Sequence, residues 1–119
     1  LNYQIIKIEN KKYIELISAD TPLSTENDAL DLIALCWEHE TNYVVIHNEA
    51  LSESFFDLKT KAAGNIIQKL VNYGVKAAAI ISNETIQNER FKEMALEINK
   101  GNHFRMYGSK EEAENWLLK

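Results

Sequence analysis

Two short runs, residues 43–47 (YVVIH) and 76–81 (KAAAII), constrain this chain more than any other feature of it. Both are apolar at nearly every position instead of at alternate ones, and each lies between stretches with helical periodicity. A strand that is apolar on both faces is covered on both, which is how the central strands of a parallel sheet read. Parallel neighbours need a crossover, so strands alternating with helices predict an α/β fold with right-handed connections.

The rest of the chain fits that frame. Residues 3–9 and 13–17 are β-rich runs separated by Asn10, Lys11 and Lys12, which predicts an antiparallel hairpin. A loop with Pro22, the only proline, follows. Thr25 and Asp28 have capping-box spacing, and behind them Leu30, Ile33, Ala34 and Trp37 form an apolar stripe at helical spacing. A second helix is expected over about residues 56–73, with Ala63, Ile66, Ile67 and Leu70 inward and Gly74 as a left-handed stop. A third carries Phe91, Met94, Ala95 and Ile98 and stops at Gly101. Residues 103–107 alternate, as an edge strand does. Ser109 and Glu112 then cap a last helix carrying Ala113, Trp116 and Leu117. The predicted order is β-β-α-β-α-β-α-β-α, a single α/β domain over residues 1–119. Its mixed, mostly parallel five-stranded sheet runs in sequential order, hairpin strand at one edge and last strand at the other. Sequential crossovers put most helices on one face, so the second face needs its own cover: a helix, a partner subunit or a hydrophobic ligand.

Composition removes several function classes. A net charge of −5 takes away the electrostatic drive for generic duplex-DNA binding, so no nucleic-acid partner is expected. The lone Cys36 rules out an intrachain disulfide framework and clustered-cysteine zinc sites. No apolar run approaches the ~20 residues of a membrane span, and the apolar start is broken by Lys7 and Glu9, unlike a signal peptide. The expectation is a cytoplasmic domain without a membrane partner.

Chemistry-bearing residues are sparse. Open α/β sheets bind ligands at the carboxyl ends of their strands. Those ends carry His47-Asn48-Glu49, Ser82-Asn83-Glu84 and Tyr107-Gly108-Ser109, although cap and turn preferences already explain such residues. His47, Glu49 and Asp57 are the only local trio for a metal, and their spacing matches no recognised pattern; no metal and no cofactor are expected. There is no glycine-rich phosphate loop and no nucleophile elbow. Cys36, in mid-helix beside Trp37, reads as a packed thiol. Gly64 falls inside a strong helix, weakening it by ~1 kcal/mol relative to Ala, and close helix-on-sheet approach is the expected compensation.

The most unusual stretch is SESFFDLKTKAAG, residues 52–64. Phe55 and Phe56 either plug the core or, with Asp57, Lys59 and Thr60, form the rim of a binding surface near His47. A hydroxyl there, Thr60 or a neighbouring serine, is the candidate for a phosphate switch.

Along most of its length, roughly residues 19–117, the sequence resembles an uncharacterised bacterial family, domain of unknown function 4180, with FFDLKT and NKGNHFR as its specific strings. That resemblance implies relatedness without an activity. More remotely the element order is similar to STAS-like domains of the anti-sigma factor antagonist type. The helix after the third strand there opens Asp-Ser-Ser-Gly and carries a phosphorylated serine. Here Phe56-Asp57 is similar to the start of that motif, but Leu58 and Lys59 stand at the serine positions, and the nearest hydroxyl is Thr60. Three functions follow as expectations. The first is a non-catalytic regulatory or protein-interaction domain, with a protein partner and a homodimer both open. The second is a small-molecule sensor with its site at the carboxyl edge of the sheet. The third is an unrecognised enzyme using His47 and Asp57. The binding residues expected are His47, Phe55, Phe56, Asp57, Lys59 and Thr60, and no catalytic set is assigned.

Overall fold

The structure, a computed structural model, describes the backbone of residues 1–119 and every side chain except those of Leu58 and Ile86. Leu58, inside the expected rim, therefore lies outside the described side chains.

Strands β1 (Asn2–Ile8) and β2 (Lys11–Ser18) form the antiparallel hairpin, turning through Glu9 at φ 55°. Strands β3 (Tyr43–His47), β4 (Lys76–Ile80) and β5 (Phe104–Tyr107) add in parallel, giving the order β1-β2-β3-β4-β5. The expected topology is thus the observed one. Strand alternation divides the sheet into two faces. Ile14, Leu16, Val44, Ile46, Ala77, Ala79, Phe104 and Met106 form one core layer, with helices α1 (Glu26–Glu38), α2 (Ala62–Asn72) and α4 (Glu89–Ile98) packed on it. On the other face Tyr13, Val45 and Ala78 meet Ala113, Trp116 and Leu117 of α5 (Lys110–Leu117). The second face is therefore covered by the chain's own last helix. A one-turn helix, α3 (Asn83–Ile86), precedes α4, capped by Ser82, and has no counterpart in the sequence reading.

Four local expectations are corrected. In α1 the buried stripe is Ala29, Leu32, Ile33 and Cys36, while Ala34 is exposed and Trp37 is 63% exposed, packing edge-on against Tyr73. The second helix begins at Ala62, not near residue 56. Residues before it form 3-10 turns (Asn48–Ala50, Glu53–Phe56, Leu58–Thr60), and Lys61 at φ 60° breaks the path between them and the helix. Gly64 makes no close approach to the sheet: it is exposed, and among the described residues an added Cβ would meet nothing within 4 Å. Gly74 is the left-handed stop expected, at φ 73°, but Gly101 is not in the left-handed region.

Candidate functional site

At the carboxyl edge of the sheet, the end of β3 delivers His47 to the α5 side. Its Nε2 lies 2.7 Å from Oε2 of Glu15, which stands beside it on β2. Glu15 is only 4% exposed, yet its carboxylate is well supplied with donors. Gln4 Nε2 on β1 donates at 2.6 Å and Lys110 Nζ, at the first turn of α5, at 3.1 Å. Burial pushes this carboxyl up, but the hydrogen bonds from Gln4, His47 and Lys110 outweigh it and leave Glu15 below the ordinary carboxylate range. An ionised Glu15 accepts from the Nε2–H of His47, and among the described residues Nδ1 has no hydrogen-bond partner.

Sequence reasoning missed Glu15, Gln4 and Lys110. The available signal was a lone acid inside YIELI whose same-face neighbours, Tyr13 and Ile17, are apolar. Lys110 is 95 residues away in sequence, so nothing local announces the pairing.

His47 also lines a shallow depression of 260 Å³ with Asn48, Glu49, Ser82 and Asn83 from the loops after β3 and β4. Asn48 Oδ1 accepts from the Ser82 N–H at 3.2 Å and ties those loops together.

The expected rim segment sits across the sheet from His47, in the layer of α1, α2 and α4. Phe55 is fully buried, its ring 5.4 Å from Phe56 and 6.3 Å from Phe104. Phe56 is half-buried, stacks edge-on at 5.4 Å against Phe91 of α4, and lines a second depression of 280 Å³ with Glu84, Thr85 and Asn88. Asp57, Lys59 and Thr60 are exposed. Asp57 Oδ1 accepts from the Lys59 N–H at 3.0 Å. The Thr60 hydroxyl shares its one proton between the carbonyls of Ser54 and Asp57 and accepts from the Ala62 N–H, which ties the segment together just before α2. The carboxylate held by His47 is therefore Glu15, whereas Asp57 is engaged locally.

A wider depression of 610 Å³ lies at the opposite, amino edge, where Lys7, Lys11, Lys12 and Lys76 face Glu9 and Glu40. Two of these cations already close the carbonyl end of α5: Lys76 Nζ donates to Trp116 O at 3.1 Å and Lys11 Nζ to Leu118 O. Among the described residues no group of three His, Cys, Asp or Glu side chains is placed to hold a metal ion, and no helix is long and apolar enough to cross a membrane.

A family model, Domain of unknown function (DUF4180), matches residues 8–117, and the chain belongs to that family. No curated protein and no solved structure matches it.

Proposed function

We propose that this DUF4180 domain is a non-catalytic, cytoplasmic protein-interaction module that docks a protein partner on the carboxyl edge of its sheet. The observation that carries the reading is the shape of that edge. Its two depressions, 260 and 280 Å³, are open and lie below the ~300–1,000 Å³ of sites that enclose a small molecule. Shallow hollows between polar loops suit the side chains of a protein surface better than an enclosed metabolite. His47 supplies the hydrogen-bonding group on one side, held by Glu15. Phe56 lines the depression on the other side and is followed by the exposed Asp57 and Lys59, with Phe55 packed against its ring in the core and the Thr60 hydroxyl bonded to the segment's carbonyls. The hairpin followed by helices and strands resembles the order of STAS-like regulatory domains, an analogy of fold that does not by itself fix a function.

The test uses the intact domain as bait on lysate from its native host. Wild type retains a stoichiometric partner. Glu49→Ala, Lys59→Ala and Asn83→Ala, all exposed at the edge, lose it, while Lys7→Ala at the amino edge keeps it. Retention by all three edge variants refutes the assignment.

A further inference from the structure

We infer that the groove between α2 and α4 is a second docking site, built for a basic amphipathic helix of a partner protein. This inference does not rest on the carboxyl-edge reading. Helix α2 packs on α1 and helix α4 on β5, which leaves a gap of 660 Å³ between them. Its walls are apolar: Ala63 and Ile67 from α2, Met94 and Ile98 from α4. These side chains reach the core at one end and face the gap at the other, three of them only partly buried.

Gly64 lines the same gap, and among the described residues no packing accounts for it. It is exposed, its φ is not in the left-handed region, and a Cβ would meet nothing within 4 Å among the described residues. A helical position with room for a side chain and no need of backbone freedom disfavours glycine relative to alanine. What a glycine provides here is a low wall, letting another backbone approach α2 closely.

The rim selects the occupant. Among the described residues that line the groove, Asp57, Glu93 and Glu97 stand against one cation, Lys61, and the whole chain carries −5. Glu97 is also within 3.1 Å of Lys100, an exposed pair that screens but does not bury its charge. An apolar trough with acidic margins is complementary to an amphipathic helix with Lys and Arg flanking its apolar stripe. Helix α4, at 10 residues, is about 15 Å long, enough to lie beside about three turns of such a helix.

The probe is a display library of helical peptides with a fixed apolar stripe and randomised polar positions, selected on the intact domain. Enriched peptides are expected to be basic beside the stripe and to weaken as salt rises. Their affinity should fall at least tenfold on Gly64→Leu, which fills the trough, and on Glu93→Lys, which reverses its margin. Gly64→Ala checks the premise separately, since it should not lower the melting midpoint. The inference is overturned by no saturable binder, by acidic or neutral peptides enriching equally, or by binders indifferent to Gly64→Leu. It is equally overturned if the domain self-associates and Gly64→Leu makes it monomeric, because the occupant is then a second copy. Asp57 adjoins both surfaces, so the variants are placed at Gly64 and Glu93, which line neither depression of the carboxyl edge; capture there should survive them, and the two readings fail separately.

Discussion

Cys36 is 1% exposed, and burial pushes its thiol up to about 11. The thiolate that reacts is therefore scarce at neutral pH. Labelling of the native protein at pH 7 should be slow and should accelerate on unfolding; rapid stoichiometric labelling of the folded state would contradict the packed environment. That reading was available from the sequence, since a mid-helix cysteine lacks the electropositive setting that activates one. The two phenylalanines were harder, because adjacent aromatics in a turn region offer no periodicity to sort inside from outside. The structure separates them: Phe55 inside the layer, Phe56 on its margin. Phe55→Ala should cost ~3–5 kcal/mol in urea unfolding and Phe56→Ala clearly less. Equal losses would mean that Phe56 is as deeply packed as its neighbour.

Elements were legible where a pattern admits one solution. The doubly apolar strands left no alternative to a parallel centre, and β3 has the bounds expected. Helix α1 had two competing stripes, each at i, i+3, i+4 and i+7. The larger residues Leu30 and Trp37 favour one, but the face that meets α2 and the sheet is Ala29, Leu32, Ile33 and Cys36. Which stripe wins depends on the partner helix, and local sequence does not contain it. The start of α2 was overestimated for a related reason. The Thr60 hydroxyl takes the Ser54 and Asp57 carbonyls, and Lys61 turns left-handed, so helical spacing continues through residues that are not one helix. Helix α5 tests the value of a single covering element. Trp116 is its largest anchor, with Lys76 Nζ 4.5 Å and the Arg105 guanidinium 5.2 Å from its ring. Trp116→Ala should cost ~3–5 kcal/mol. It should also raise amide exchange along α5 before the rest of the fold, as a helix that alone covers its face would show. Uniform exchange across the sheet and α5 would instead mark them as one cooperative unit.

At the scale of the molecule, Glu15 joins four elements: both strands of the hairpin, β1 through Gln4 and its own β2, then β3 through His47 and the distant α5 through Lys110. The sheet order was readable beforehand, but this clamp was not, because it exists only once α5 folds back over the second face. Its electrostatics make a directional claim. Glu15 binds its proton less readily in the folded protein than in the unfolded chain, and so does Asp28 in the α1 capping box. There burial pushes the carboxyl up but hydrogen bonds from Ser24 and Thr25 outweigh it. Groups lowered in the folded state contribute stability that is fully present above the ordinary carboxylate range. It is lost as pH falls through that range toward their folded values. Urea unfolding should therefore show stability level near neutrality and declining on acidification, from about pH 5 downward. Glu15→Gln keeps the shape of the side chain and removes the charge. It should lower stability at pH 7, where Lys110 loses its counter-ion, and flatten the acid decline relative to wild type. Thr25→Ala, which removes the hydroxyl that accepts from the Asp28 N–H, tests the same capping box from its other half and should cost ~0.5–2 kcal/mol. An acid decline as steep in Glu15→Gln as in wild type would show that the four elements are held together by packing, with the buried carboxylate along for the ride.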